Sequence, residues 1–347
     1  MKKLKKAAAF TDIHFGAKSN SDLHNDDCLE FIDWFCENVK SDPSIDHIIF
    51  LGDWHENRAS INLNTLNASY EGALKLNALG LPIFFIVGNH DLFRRSNRDI
   101  HSVPHFVTLE NFIVVDQPKV FDLMITPTLI SPYLFSPEYQ TIGQDFSNAD
   151  VWWGHFEFKD FIITGYNIKM MEGPDIKNYK DIKRIFSGHF HKRQTMNNVT
   201  YIGNTFPTTF ADVDDFDRGM MTYDYVADET TFTNWIDCPK YIRTSLNDIF
   251  DETVKLYEKA RVKCILNIDI SYDESTVVKQ QMIEKYNLRE FIFEEMTTVE
   301  DHTKEITNVD VDNFTNINEL IVQLLDEVEG ENINNNLLSS IYKELKI

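Results

Sequence analysis

Five short stretches carry side chains that could bind a cation or move a proton. "TDIHFG" offers Asp12 and His14, "LGDWHE" offers Asp53 and His55, and "VGNHDL" offers Asn89 and His90. "WGHFEF" adds His155, and "SGHFHK" adds His189 and His191. Imidazole, carboxylate and carboxamide oxygen together suit a borderline or hard divalent ion such as Mn²⁺, Fe²⁺ or Zn²⁺. A carboxylate bridging two ions ~3.5–4 Å apart would let the pair clamp a phosphate, activate a water and stabilise a leaving oxygen. The chemistry indicated is hydrolysis of phosphate esters. Taken singly, each stretch has an ordinary reading: Asp53 could merely start a turn, and two loop histidines need bind nothing. Their joint occurrence, in this order, favours a metal site.

The elements around these stretches explain how they could converge. "AAAF", "HIIF", "IFFI", "VWW" and "RIF" are short apolar runs closed by the polar stretches, as expected of buried strands bounded by turns. Between them, "DDCLEFIDWFCENVK" and "TLNASYEGALKLNALG" have helical apolar spacing, the second with Gly80 as a C-cap. Alternating strands and helices predict an α/β domain, and in such domains residues beyond the carboxyl ends of strands share one crevice. If "GHFH" is extended, His189 and His191 project from one side and Phe190 from the other. Trp152 and Trp153 are expected in the core rather than stacked on a base.

Near Pro239 the texture changes. "LNDIFDETVKLYEKA" reads as a helix, "VKCILNIDIS" as a strand, "ESTVVKQQMIEKYN" as a helix and "LREFIFEEM" as a strand, giving a small α+β domain. Four regions follow: a catalytic domain over 1–239, this domain over 240–296, an acidic linker over 297–312, and a helix–turn–helix pair over 313–347 whose apolar faces suit a partner.

The net charge of −22 argues against a simple polyanion binder, unless bound metal supplies local positive charge. The four cysteines form no CxxC pair, so neither a disulfide framework nor a zinc knuckle is expected; Cys28 and Cys36 read as buried helix residues. No apolar run approaches the ~20 residues that span a bilayer, so no membrane partner is expected. The opening "MKKLKKAAAF" is too short in its apolar part for a signal peptide, and a cytoplasmic protein is expected.

DxH, GD, GNHD, GH and GHxH in this order resemble the calcineurin-like metallophosphoesterases over about residues 7 to 210. The resemblance implies a two-sheet β-sandwich flanked by helices, with metals at the strand ends. It implies Asp12, His14, Asp53 and His191 as ligands of one ion, and Asp53, Asn89, His155 and His189 as ligands of the other. His90 matches the family's non-ligand histidine, which contacts the scissile phosphate. The cofactor implied is two divalent ions, Mn²⁺ first, with Mg²⁺, Fe²⁺ or Zn²⁺ as alternatives. The chain departs from the pattern where many relatives carry a phosphate-contacting histidine three residues after the bridging Asp. Glu56 stands there, and His55 precedes it as a second catalytic candidate or an ordinary loop histidine.

The regional layout is similar to that of SbcD-type recombination and repair nucleases, including those of T-even phages. It implies a Mn²⁺-dependent DNA endo/exonuclease whose second domain caps the active site and whose terminal helices bind an SMC-like ABC-type ATPase. A homodimer is also implied, through "TLNASYEGALKL" and the segment after His90. A phosphatase, a nucleotide phosphodiesterase and a non-catalytic DNA- and ATPase-binding scaffold are the alternatives. Candidate DNA contacts are Arg94 and Arg95, with Arg98, in "RRSNR" (otherwise a solvated helix start), and Lys192 and Arg193. Lys180, Lys183 and Arg184 could extend a phosphate track.

Overall fold

The computed structural model describes residues 3–145, 148–163, 168–213, 215–266 and 270–295. In chain order its strands begin with β1 (Lys6–Phe10), β2 (His47–Phe50), β3 (Ile83–Ile86), β4 (Leu92–Arg94), β5 (Asn97–His101) and β6 (Phe112–Val115). They continue with β7 (Lys119–Phe121), β8 (Thr128–Ile130), β9 (Val151–His155), β10 (Arg184–Gly188), β11 (Gln194–Met196) and β12 (Val199–Tyr201). The last are β13 (Gly219–Asp224), β14 (Glu229–Asn234), β15 (Tyr241–Ser245), β16 (Arg261–Leu266) and β17 (Glu290–Glu295).

Two six-stranded sheets form the sandwich, in the orders β14-β13-β1-β2-β3-β6 and β11-β12-β10-β9-β8-β7. In the first, β1, β2, β3 and β6 run parallel; in the second, β8, β9, β10 and β12 do. Strand side chains alternate between faces, so a strand covered on both sides reads as continuous apolar sequence. Ala7, Ala9, Ile49, Leu51, Phe84 and Ile86 therefore face Trp153, Phe186 and Ile130 in the core between the sheets. Their neighbours Ala8, Phe10, Ile48, Phe50 and Phe85 pack outward with residues of the helices Asp22–Ser41 and Leu63–Asn77. Trp152 lies in the layer outside the second sheet, so both tryptophans are core residues. Each fully buried Ile, Leu or Phe contributes about 1.5–3 kcal/mol, which makes these strands the rigid frame for the loops beyond them.

The third sheet, β15-β16-β17, is parallel throughout, with the helices Leu246–Phe250 and Tyr272–Tyr286 as crossovers. This corrects the α+β reading of the module to a βαβαβ unit. The long helix expected from "LNDIFDETVKLYEKA" is also corrected, since it stops at Phe250. There the Thr253 amide bonds the Asp248 carbonyl, and Glu252 takes a left-handed φ of 53°. "RRSNR" is not a helix start but part of the β4–β5 hairpin. Cys28 and Cys36 are buried in the helix Asp22–Ser41. Among the described residues no helix is long and apolar enough to cross a membrane. The expected acidic linker and terminal helical pair lie outside the described residues.

Candidate metal centre

The parallel runs put the loops after β1, β2, β3, β9 and β10 at the carboxyl ends of their strands, and these loops meet. Their backbone is unusual: Asp12, His14, Asp53 and His189 take φ values of 52°, 53°, 59° and 84°. Such left-handed conformations cost non-glycine residues energy and persist where surrounding structure enforces them. Gly52, at φ 103°, has no side-chain room: a Cβ there would lie 2.6 Å from His155 Nδ1 and 2.8 Å from Gly88 Cα. Gly88 is equally confined, since its Cβ would lie 2.2 Å from the Asp53 amide nitrogen.

Two groups of side chains converge around Asp12 and Asp53. Asp12, His14 and His191 bring ligand atoms within 4.8 Å of one another, and so do Asp53, His155 and His189. Asn89 joins the second, its Oδ1 being 2.8 Å from His155 Nε2 and 2.9 Å from His189 Nδ1. Asp53 Oδ2 lies 3.2 Å from His155 Nε2 and 4.0 Å from His14 Nε2, between the groups. His189 and His191 thus reach opposite groups. The left-handed φ of His189 corrects the extended reading of "GHFH", and it turns the first imidazole toward His155 while the second faces His14.

The tautomers are readable from the partners. His155 Nδ1–H donates to the Leu51 carbonyl at 2.7 Å, so the neutral ring presents a lone pair at Nε2. That lone pair faces the oxygens of Asn89 and Asp53 and a nitrogen of His189 at 3.2 Å. Likewise His14 Nε2 and His191 Nε2 are 3.2 Å apart. Lone pairs directed at lone pairs need a proton or a cation between them, so the donor set fits metal ions. Without metal, protons serve. Burial opposes charge on His155 and His14, but nearby carboxylates prevail and both rise to about 9, chiefly through Asp53 for His155 and Glu56 for His14. Burial also opposes ionisation of Asp53, yet His155, His90 and His14 hold it well below the usual carboxylate range.

His90 stands beside the first group, its ring edge-on to His14 with centroids 5.0 Å apart. Its amide donates to Asp53 Oδ1 at 2.8 Å, and its Nδ1–H donates to the Glu56 carbonyl at 2.8 Å. Nε2 is left for a ligand. His55 is elsewhere. It is fully buried, with Nδ1 2.8 Å from the Ser102 hydroxyl and Nε2 3.0 Å from that of Ser69. Both nitrogens are engaged, and burial pushes the ring down to about 3. The catalytic expectation for His55 is therefore corrected to a neutral interior residue.

The candidate DNA contacts divide. Arg94 and Arg95 are exposed on the hairpin that follows His90. Arg98 is not available, because its guanidinium pairs with Glu138 and bonds the Tyr133 carbonyl. Arg193 bonds Asn234 Oδ1 at 2.8 Å and lies 4.1 Å from the Phe232 ring centroid, which corrects it to a sheet-bracing residue. Lys183 and Arg184 both pair with Asp228, so the proposed phosphate track is interrupted there. Lys180 is exposed, and Lys192 is half-buried beside His191.

Three acidic residues were missed or left without a role. Glu56 Oε2 lies 2.7 Å from His14 Nδ1 and 3.9 Å from His90 Nδ1. Glu157 Oε1 lies 3.1 Å from His189 Nε2, a placement its position two residues after His155 could have suggested. Asp91, the last residue of "GNHD", is buried and accepts the amides of Asp53, Gly88, Trp54 and His55 at 3.0–3.1 Å. It pins the Asp53 loop.

The calcineurin-like phosphoesterase model matches residues 5–193, more than half of the chain and every residue of the two groups. This chain belongs to that family. It is 27% identical over 232 residues to "Exonuclease subunit 1" of Enterobacteria phage T4, covering 65% of this chain and 67% of the relative. Among solved structures it is similar to a dimetal phosphatase from Danio rerio, with TM-score 0.45 and 8% identity, covering 67% of this chain and 96% of that one. It is also similar to nuclease MPE of Pseudomonas putida, with TM-score 0.31 and 14% identity, covering 65% and 87%.

Proposed function

We propose that this calcineurin-like phosphoesterase is a Mn²⁺-dependent DNA nuclease, the hydrolytic subunit of an SbcCD-like recombination and double-strand-break repair complex. The observation that carries the reading is the pair of donor groups flanking Asp53, with His90 alongside. Asp12, His14, Asp53 and His191 would hold one divalent ion, and Asp53, Asn89, His155 and His189 the other. When bound, such a pair supplies Lewis-acid stabilisation of phosphoryl oxygens and an acidified water. His90, held by the Glu56 carbonyl at Nδ1, presents Nε2 to the departing oxygen. In its protonated form it would give that oxygen the Nε2 proton as the P–O bond breaks. Asp91 and Gly52 keep the Asp53 loop in register with His155, and Glu56 and Glu157 orient His14 and His189 from behind.

DNA as substrate is supported by the T4 relative, named an exonuclease subunit, and by exposed Arg94 and Arg95 beside His90. The word "subunit" also supports a partner. An SbcC-like ATPase would bind residues 313–347, and the site of action would be cytoplasmic. A homodimer is supported by the outer face of the helix Leu63–Asn77, where Leu63, Leu66, Tyr70 and Leu74 are exposed. The test is cleavage of end-labelled duplex and single-stranded DNA with Mn²⁺, with and without the ATPase. Cleavage abolished by chelator is expected. Turnover of nucleotide monoesters with no cut DNA in any combination would favour the phosphatase alternative.

A further inference from the structure

The helix Asp22–Ser41 starts with a buried polar patch. His24, Asn25, Asp27 and Cys28 are all at most 1% exposed, ahead of the apolar stripe Phe31, Ile32 and Phe35. Burying such groups is unfavourable unless each finds a partner. Three of the four partners lie in the loop that carries His14. His24 Nε2–H donates to the His14 carbonyl at 2.9 Å, and Cys28 Sγ–H donates to the Ile13 carbonyl at 3.3 Å. Asn25 Oδ1 accepts the Gly16 amide at 2.9 Å. The fourth partner is on another module. Asp27 forms a bidentate ion pair with Arg289, the residue before β17 in the third sheet. One turn further along, Glu30 pairs with Lys259 at 2.8 Å, also from that module.

His24, Asp27 and Cys28 share one face of the helix, at positions i, i+3 and i+4. The first two turns therefore hold the His14 loop through His24, Asn25 and Cys28, and the third-sheet module through Asp27. We propose that this patch is a positioning device that couples the third-sheet module to the metal site. His24 and Asn25 set the His14 loop, and the Asp27–Arg289 pair sets the helix. Displacement of the module would then be felt at His14 without any contact between module and metal. The inference rests on the metal-site reading above for its consequence, but its geometry concerns the metal-free protein.

The test is hydrogen exchange of the full-length, metal-free protein at the amides of residues 13–17, compared with those of β2. The charge-neutral replacement Asp27→Asn with Arg289→Gln removes the pair without stranding a buried charge. It is expected to speed exchange at Gly16 and Ala17 at least about tenfold while β2 stays protected, and to weaken Mn²⁺ binding about 10–100-fold, as loss of residues supporting metal ligands does. His24→Leu should do the same without touching the module. Combining all three changes should add little beyond the larger single effect, the signature of a shared linkage. Arg289→Lys, which keeps a cation for Asp27, should restore exchange to near wild type. Exchange at 13–17 and Mn²⁺ affinity both within twofold of wild type in the Asp27/Arg289 protein would overturn the coupling, as would strictly additive effects. Failure of the wild type to cut any phosphodiester would instead sink the nuclease reading and leave the exchange comparison standing.

Discussion

His90 shows how much rests on one ring nitrogen. Its Nδ1 is committed to the Glu56 carbonyl and its amide to Asp53, so the imidazole is fixed with Nε2 outward. In the proposed reaction His90→Asn should lower kcat for DNA cleavage about 10²–10⁴-fold, the usual worth of a positioned acid or base. Its Mn²⁺ affinity, measured by titration calorimetry, should stay near wild type, because His90 is assigned to neither ion. A parallel fall in metal affinity would move His90 into the ligand set. Glu56 marks a departure from the family pattern, and its carboxylate is held at about 2 by the His14 contact, against the effect of burial. At the position where the resemblance implies a phosphate-contacting histidine, this chain has a carboxylate that braces His14.

The loops work only because the strands before them are inflexible. Gly52 joins β2 to Asp53 with no space for a methyl group. Gly52→Ala must either displace His155 or distort a left-handed backbone, at a cost of about 1–3 kcal/mol. It is expected to lower the Tm and to abolish Mn²⁺ binding, read by electron paramagnetic resonance, whereas Gly80→Ala, in open space, should leave Mn²⁺ binding unchanged. A second element-scale device ties the two large sheets. Asp228, in the turn between β13 and β14, pairs with Arg184 at the start of β10 and accepts from the Tyr223 hydroxyl. The Arg184 guanidinium holds its carboxyl down at about 2. A depressed carboxyl stabilises the fold fully above its ordinary value near 4 and ceases to do so as pH falls through about 2. Asp228→Asn should therefore lower the Tm at pH 6, and the gap to wild type should close as the melts are taken toward pH 2.

At the scale of the molecule, the proposed activity sets a chain of net charge −22 against a polyanion. Local cations and bound metal have to overcome that field. DNA binding by the cleavage-deficient His90→Asn protein should therefore weaken at least about tenfold when Mn²⁺ is replaced by chelator at constant ionic strength, because the donor groups then lose the positive charge of the ions, which protons on His14 and His155 replace only in part. Equal affinity with and without metal, in a fluorescence anisotropy titration, would place the DNA surface away from the site. The third sheet completes the described structure, and Asp27–Arg289 and Glu30–Lys259 connect it to the helix beside the His14 loop.

The sequence by itself determined the donor types, their order and their place after apolar strands, because strand periodicity and turn residues are local properties. It also marked Trp152 and Trp153 as core. The family resemblance implied which histidine joins which group, but how the backbone brings each ring there was decided only by the tertiary structure. His189 bonds its amide to Asp12, 177 residues away, and a single left-handed φ reverses where its ring points. No spacing rule carries that information. For the same reason His55 looked like a site residue and proved to be interior, and Arg193 and Arg98 found partners that lie far off in the chain. The parallel order of β15, β16 and β17 was hidden too, since strands and helices of one short module read alike whether neighbouring strands run parallel or antiparallel.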